Sequence, residues 1–264
     1  DFPIHPSMPL RVFITGASSG IGAALACHYA AGGATLALVG RRQTALDELA
    51  RSLTGEHAVY RLDVAAPAAL AEAAADFSGR FGLPDVVIAN AGVSVGTLTE
   101  EAGDLAAFER VLRTNVLGMV ATFQPFVAPM RERGQGRLVG IASVAGIRGL
   151  PGAGAYSASK AAAIAYLESL RVELHGSGVR VVTIAPGYID TPMTAVNDYP
   201  MPFMLPADEA ARRFVRAIDA GTGYTVIPWQ MGVVAKLLRL LPNPLFDRIF
   251  ARAGRKPRGL LGEG

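Results

Sequence analysis

The sequence predicts an α/β fold in which a doubly wound parallel sheet of about seven strands is covered by helices on both faces. Short apolar runs alternate with longer segments rich in Ala and Leu, and this alternation is typical of βαβ units. The short runs are apolar throughout, as expected for strands that are buried on both faces. In chain order they are LRVFIT, ATLALV, AVYRL, DVVIA, RLVGIAS, VRVVTIA and YTVI.

The length of the chain suits one large α/β unit. It has 264 residues, of which 51% are hydrophobic, so a large core is available. We expect one domain over residues 8–228, followed by a helical extension over residues 229–264. The segment before the domain, residues 1–7, is expected to be a tag remnant or a flexible arm.

The cysteine content and the distribution of charge indicate the cellular compartment and the classes of partner that can be excluded. Cys27 is the single cysteine, which excludes an internal disulfide and fits a reducing compartment. The N-terminus lacks the basic and apolar segments of a secretory signal, so a cytoplasmic protein is expected. Residues 229–264 hold seven Lys or Arg and two acidic residues, which leaves a net −2 for the rest of a +3 chain. We therefore expect no nucleic-acid partner for the main body.

A glycine-rich turn, TGASSGIG, joins the first strand to the first helix. Its glycines, Gly16, Gly20 and Gly22, allow a sharp turn and a close approach to a pyrophosphate, and a helix N-terminus favours negative charge. The turn predicts a dinucleotide site. The same residues also spell G-x-S-x-G around Ser18, the motif of a serine hydrolase. Against that alternative, His28 lies within the first helix and His175 lies near a helix end, where histidines commonly bond terminal carbonyls.

The ends of the second and third strands indicate which dinucleotide binds. The second strand is followed by Arg41 and Arg42, whereas a site that prefers NAD places an acidic residue there. Basic residues at this position accommodate a 2′-phosphate, so NADP is predicted over NAD. Asp63, after the third strand, is a candidate partner for the adenine amino group.

The candidate catalytic residues lie between the fifth strand and the following helix. Tyr156 and Lys160 are four residues apart in a helical segment, so the phenol and the ammonium should share one face. An adjacent positive charge lowers the pKa of a phenol, which allows the pair to exchange protons. Ser143 ends the fifth strand, where its hydroxyl could hold a carbonyl oxygen.

Together these motifs resemble the short-chain dehydrogenase/reductase family, whose members have a Rossmann fold, over roughly residues 10–227. Beyond the glycine turn and the Ser-Tyr-Lys set, the match includes NAG after the fourth strand, Asn115 in RTNVLG, and PGxxxT from Pro186 to Thr191. The cofactor-binding residues that the resemblance implies are Gly16, Ser18, Ser19, Gly20, Ile21, Gly22, Arg41, Arg42, Asp63, Val64, Asn90, Ala91, Gly92, Tyr156, Lys160, Pro186, Gly187, Ile189 and Thr191.

The resemblance also implies roles and partners. Tyr156 would protonate the carbonyl oxygen, Lys160 would lower the pKa of Tyr156, and Ser143 would orient the substrate. Asn115 would hold a water that relays protons to Lys160, and no metal is implied. Helices around residues 114–133 and 156–176 would form the interface of a homo-dimer or homo-tetramer.

Substrate selectivity is expected from three loops, residues 93–98, 145–150 and 191–205. They are mostly apolar, with Arg148 as the main charge, which favours an apolar or lipid-like carbonyl compound or alcohol. The third loop is rich in Met and Pro and is expected to act as a mobile lid.

The extension should form two amphipathic helices separated by Pro242 and Pro244. Neither approaches the ~20 apolar residues of a membrane span. The pair could lie on an anionic membrane surface, or it could pack on the active-site mouth or on a partner subunit. These features predict an NADP-dependent oxidoreductase that interconverts a ketone or aldehyde and an alcohol; the alternative is a non-catalytic NADP-binding sensor or scaffold on the same fold.

Overall fold

In the computed structural model, which describes residues 9–259, a seven-stranded parallel sheet forms the centre of the protein. The doubly wound α/β prediction is confirmed, and every predicted strand is present. The strands are β1 (Arg11–Thr15), β2 (Thr35–Gly40), β3 (His57–Arg61), β4 (Val86–Ala89), β5 (Gly136–Ile141), β6 (Val179–Pro186) and β9 (Tyr224–Ile227). Their order in the sheet is β3-β2-β1-β4-β5-β6-β9.

Helices cover both faces of the sheet. They are α1 (Gly20–Ala31), α2 (Gln43–Ser52), α3 (Pro67–Phe81), α4 (Asp104–Leu112), α5 (Gly118–Arg133), α6 (Gly154–Glu173), α7 (Ala207–Asp219), α8 (Trp229–Leu240) and α9 (Asn243–Phe250). Apolar side chains of α1, α2 and α7 pack on one face, and those of α3, α5 and α6 pack on the other. Because both faces are covered, the strands need no polar face, which explains their continuous apolar runs.

The order of the strands determines where a ligand can bind. The chain steps from β1 to β2 in one direction and later resumes at β4 on the other side of β1. Loops leaving β1 and β4 therefore diverge at the carboxyl end of the sheet, and open parallel sheets bind ligands in the crevice that this divergence creates.

Two short strands were not predicted. β7 (Ile189–Asp190) pairs in parallel with β8 (Leu205–Pro206) in a separate ribbon. Strands of two residues carry no readable periodicity, so the sequence pattern could not reveal them. The ribbon closes the base of the predicted lid loop.

The extension forms two helices, α8 and α9, as predicted. Pro242 lies between them, but Pro244, which was also expected there, lies in the first turn of α9. Met231, Ala235 and Phe246 are buried against the body of the protein, while other large apolar side chains of these helices are exposed. Between residues 9 and 259, no helix is long and apolar enough to cross a bilayer. The expectation for residues 1–7 lies outside the described residues.

Candidate active site

A cleft of about 570 Å³ opens at the carboxyl ends of the central strands. It is lined by all the predicted site residues except Gly22, which underlies the glycine turn, and Asn115, which is buried. The predicted residues on its surface are Gly16, Ser18, Ser19, Gly20, Ile21, Arg41, Arg42, Asp63, Val64, Asn90, Ala91, Gly92, Ser143, Tyr156, Lys160, Pro186, Gly187, Ile189 and Thr191.

The glycine turn has a geometry that larger residues could not adopt. Gly16 and Gly20 have φ angles of 68° and 54°, in the left-handed region. A Cβ added at Gly22 would lie 2.1 Å from the carbonyl oxygen of Gly16. The side chain of Ser19, the N-cap residue of α1, makes no capping hydrogen bond, so it does not occupy the amides of the first turn. The turn can therefore receive a phosphate against backbone amides.

Asn90 ties the end of β4 to this turn. Its Nδ2 donates to the carbonyl oxygens of Thr15 and Gly16, each at 3.1 Å. The buried Thr15 hydroxyl accepts hydrogen bonds from the backbone amides of Asn90 and Ala91 at 3.2 and 3.3 Å. Thr15 is thus a positioning residue that the sequence analysis did not single out, because a threonine at a strand end carries no distinctive signal.

Two arginines and an aspartate stand at one end of the cleft. Arg42 donates from Nη2 to the carbonyl oxygen of Ser18 at 3.1 Å and to its Oγ at 3.3 Å. Arg41 lies 3.9 Å from a carboxylate oxygen of Asp63, and both side chains are 43% exposed. Asp63 also accepts a hydrogen bond from the amide of Ala65 at 2.9 Å, so it fixes the turn after β3. This end of the cleft carries net positive charge within reach of solvent.

Ser143, Tyr156 and Lys160 meet at the other end. Ser143 caps a single 3₁₀ turn (Val144–Gly146) by accepting a hydrogen bond from the amide of Ala145 at 3.2 Å. Tyr156 lies in the first turn of α6 and Lys160 follows one turn later, with its Nζ 5.8 Å from the Tyr156 ring centroid. Lys160 is only 5% exposed, and its Nζ donates to the carbonyl oxygen of Ile141 at 2.8 Å.

The pKa of Tyr156 departs from its usual range in the direction opposite to the one predicted. Burial raises this pKa, and a hydrogen bond with Ser143 opposes the rise. The ammonium of Lys160 donates to the carbonyl oxygen of Ile141, and burial brings the pKa of Lys160 down to about 8. The net direction differs from the predicted one because the sequence pattern gave no measure of burial, and the part of Lys160 in stabilising the phenolate stays a prediction.

Asn115 is buried in a π-helical turn (Arg113–Leu117) between α4 and α5. Its Oδ1 accepts a hydrogen bond from the amide of Val93 at 2.8 Å, and its Nδ2 donates to the carbonyl of Val93 and to Ser159 Oγ, each at 2.9 Å. Such turns often occur at functional sites. The amide thereby fixes the loop after β4 against α6.

The hydrolase alternative finds no support. The Ser18 hydroxyl is bonded by Arg42, and in the described part of the chain no histidine hydrogen-bonds to it. His57 contacts the carbonyl oxygen of Thr54, and His28 lies on α1 beside Tyr29. A nucleophile of this class needs an adjacent base, so Ser18 is unsuited to that chemistry.

The charge at the substrate side differs from the prediction. Arg148 was expected to face the substrate, but its guanidinium bonds the carbonyl oxygens of Leu238 and Leu241 at the end of α8 and stacks 3.8 Å from the Phe246 ring centroid. Lys256 brings a cation to the mouth instead, with its Nζ 5.9 Å from the Tyr156 ring centroid. The sequence could not indicate this, because Lys256 is one hundred residues away from Tyr156 along the chain.

Comparisons with known proteins agree with this geometry. The family model for short chain dehydrogenase matches residues 11–200. An uncharacterized oxidoreductase of Myxococcus xanthus is 40% identical over 89% of this chain and 93% of its own length. The mouse protein dehydrogenase/reductase SDR family member 7B is 39% identical over 94% of this chain and 82% of its own length. The crystal structure of levodione reductase superposes with a TM-score of 0.76 at 28% identity, covering 83% of this chain and 95% of that one.

Proposed function

We propose that this chain, which belongs to the short-chain dehydrogenase family, is an NADP-dependent enzyme that interconverts a ketone or aldehyde and its alcohol. The observation that carries the proposal is the convergence of Ser143, Tyr156 and Lys160 at one end of a cleft whose other end is a glycine turn. When bound, the nicotinamide cofactor supplies or accepts the hydride. The chain itself has to orient the substrate and manage one proton.

In the proposed mechanism, Tyr156 donates its proton to the carbonyl oxygen during reduction. Because burial raises the pKa of its hydroxyl, Tyr156 is protonated at neutral pH and ready to act as an acid. Ser143 hydrogen-bonds the same oxygen and holds it in place. In the oxidation direction Tyr156 acts as the base, and the nearby Lys160 cation stabilises the phenolate that forms.

Proton supply to this pair involves Asn115 and Lys160. A Cβ built at Gly92 would lie 3.3 Å from Asn115 Oδ1 and 3.7 Å from Lys160 Nζ, so both polar groups border the same glycine. We propose that a water held at Asn115 passes protons to Lys160. With a pKa of about 8, Lys160 can gain and lose a proton near neutral pH.

The preference for NADP rests on Arg41 and Arg42. Both line the cleft beside the glycine turn, and a guanidinium binds a phosphate through paired hydrogen bonds. The other predicted cofactor-binding residues would hold the rest of the dinucleotide, with Asp63 and Val64 at the adenine and Pro186 to Thr191 at the nicotinamide side.

The substrate is proposed to be largely apolar. The lid loop, residues 191–205, exposes four large apolar side chains, which are Met193, Val196, Phe203 and Met204. Exposed apolar surface of this kind commonly marks a binding site. A substrate with an apolar body would cover these side chains on binding.

A homo-dimer or homo-tetramer is proposed through the helices around residues 114–133 and 156–176. Leu117 and Val172 are 61% and 66% exposed on these segments, which suits an interface between copies of the chain. Sedimentation equilibrium of Leu117→Glu and Val172→Glu tests this, because a buried charge at the interface should yield monomers.

A second surface favours contact with a membrane. Trp229, Val233, Leu237 and Leu240 form an exposed apolar stripe on α8, and the extension around it is basic. An amphipathic basic surface of this kind binds anionic lipid without spanning the bilayer. We propose peripheral association of a cytoplasmic protein.

Vesicle co-sedimentation tests this association. Full-length protein should sediment with phosphatidylglycerol vesicles and less with phosphatidylcholine vesicles, and Leu237→Asp with Leu240→Asp should abolish the difference. Equal sedimentation of wild type and variant would contradict the membrane contact.

The enzymatic proposal is tested by a screen of ketones and aldehydes with NADPH, monitored by loss of nicotinamide absorbance. Turnover of at least one apolar carbonyl compound is expected, with little or none in Tyr156→Phe. A non-catalytic sensor would bind NADPH and turn over none of them.

A further inference from the structure

The C-terminal segment 251–258, which we call the strap, crosses the mouth of the cleft after α9. The amide of Gly96 donates to the carbonyl oxygen of Pro257 at 2.8 Å, and a Cβ at Gly96 would lie 2.1 Å from the carbonyl oxygen of Lys256. A Cβ at Gly152 would lie 2.9 Å from Arg255 Cβ. The strap therefore packs closely on one of the loops expected to select the substrate, residues 93–98, and on the turn that follows another, residues 145–150.

An ion-pair cluster fixes the end of the strap. Arg258 donates to both carboxylate oxygens of Asp104, at 2.8 and 3.2 Å, and lies 3.2 Å from Glu101. Asp104 also accepts a hydrogen bond from the amide of Leu98 at 2.8 Å, so it joins the strap to the loop after β4. Bidentate pairs of this kind hold geometry well, even where exposure keeps their energy small.

The strap places an uncompensated cation over the candidate catalytic tyrosine. Lys256 Nζ lies 5.9 Å from the ring centroid of Tyr156 and 3.4 Å from the carbonyl oxygen of Met193. In residues 9–259 no carboxylate pairs with it, and burial alone lowers its pKa. The other charge expected at the substrate side, Arg148, is bound to the end of α8. A partly desolvated cation without an anion is costly unless a ligand supplies one.

A polar group that lines the cleft has no hydrogen-bond partner among the described residues. The Ser94 hydroxyl is buried without a hydrogen bond, and Ser94 lines the same cleft as Tyr156 and Met193. A hydroxyl donor and an ammonium suit a carboxylate, which accepts at two oxygens. A substrate that is apolar throughout would leave the hydroxyl without a partner and the ammonium without an anion.

We propose that Lys256 binds a carboxylate of the substrate, so the substrate is a carbonyl compound, or its alcohol, with an apolar body and one acid group. This inference rests on the proposed function, since it concerns the same cleft. Ser94 is the second donor to the acid group. The strap is then a specificity element, contributed by the far end of the chain to a site that the central sheet builds.

The test compares benzoate with its neutral analogue benzamide, by calorimetric titration of the full chain. Wild type should bind benzoate on the order of tenfold more tightly than benzamide, the scale of one charge-assisted hydrogen bond. The difference should vanish in Lys256→Met and in Lys256→Gln, which keeps a polar side chain. It should persist in the matched control Lys236→Met, which alters an exposed lysine of α8.

The inference is overturned if wild type binds the two compounds equally, or if the preference for benzoate survives in both Lys256 variants. Because binding is measured without turnover, this result is independent of catalysis. A kinetic comparison of phenylglyoxylate with its methyl ester then addresses the reaction: Lys256→Met should raise the KM of the acid and leave the KM of the ester unchanged. Absence of turnover with both would count against the proposed function and not against the carboxylate site.

Discussion

Replacement of Arg41 and Arg42 by alanine tests the assignment of the cofactor. Arg42 is held over the glycine turn by two hydrogen bonds to Ser18, and Arg41 is held near Asp63. Their guanidinium groups are therefore positioned before a 2′-phosphate arrives. The double variant should lose affinity for NADPH and nearly none for NADH, which lacks that phosphate.

The expected loss of NADPH affinity depends on how exposed the two arginine side chains are. Hydrogen bonds between buried charged groups contribute about 1.5–3 kcal/mol each, but exposed pairs contribute about 1 kcal/mol or less. The Arg41 side chain is 43% exposed, so about 1 kcal/mol for each arginine is appropriate. The double variant should then bind NADPH about 30-fold more weakly, and NADH by no more than a small factor from loss of the Ser18 contacts.

Fluorescence titration of the two cofactors measures both constants. Arg51→Ala is the matched control, because Arg51 is an exposed arginine on α2 that bonds the carbonyl of Asp47 and does not line the cleft. An equal loss of affinity for NADPH and NADH in the double variant would refute the phosphate assignment.

Two further substitutions test the burial of Lys160 and the close backbone contact at Gly22. Lys160→Met should abolish turnover yet raise the free energy of urea unfolding at pH 7 by about 1–2 kcal/mol. Burial of the lysine cation, which lowers its pKa from 10.5 to about 8, costs the wild-type fold about 3 kcal/mol. The variant avoids this cost but loses the hydrogen bond to Ile141, which offsets part of the gain. Since the unfolded state binds more protons between pH 8 and 10.5, wild-type stability from this group should rise with pH across that window, and the variant should lack the rise; a flat wild-type profile would contradict the buried cation. Gly22→Ala should prevent NADPH binding, because its Cβ would lie 2.1 Å from the carbonyl oxygen of Gly16. Unimpaired cofactor binding by Gly22→Ala would contradict the tight turn. Gly79→Ala on α3 is the control: the new methyl group has open space around it, so this variant should stabilise the fold by about 1 kcal/mol in thermal unfolding.

The sequence predicted the architecture well because burial on both faces leaves a continuous apolar signal in each strand. The glycine turn was equally readable, since Gly16 and Gly20 occupy backbone conformations that other residues disfavour. Both features depend on residues that are adjacent in the chain, so they can be predicted without knowledge of tertiary contacts.

Features that depend on distant contacts were not readable. Arg148 was predicted to face the substrate, but its guanidinium donates to carbonyl oxygens at the end of α8, and Lys256 lies at the mouth of the cleft instead. The direction of the Tyr156 pKa was mispredicted for the same reason, because it depends on burial that only the assembled fold creates. The π-helical turn around Asn115 likewise has no marker in residue type.

Proton transfer by Tyr156 is tested by the rate of NADPH oxidation in Tyr156→Phe, with a carbonyl compound found in the screen. The variant should keep the NADPH affinity of wild type and oxidise NADPH about 10²–10⁴-fold more slowly. Tyr166→Phe, another partly buried tyrosine of α6 that does not line the cleft, should keep the wild-type rate. A Tyr156→Phe enzyme that oxidises NADPH as fast as wild type would show that Tyr156 does not transfer the proton.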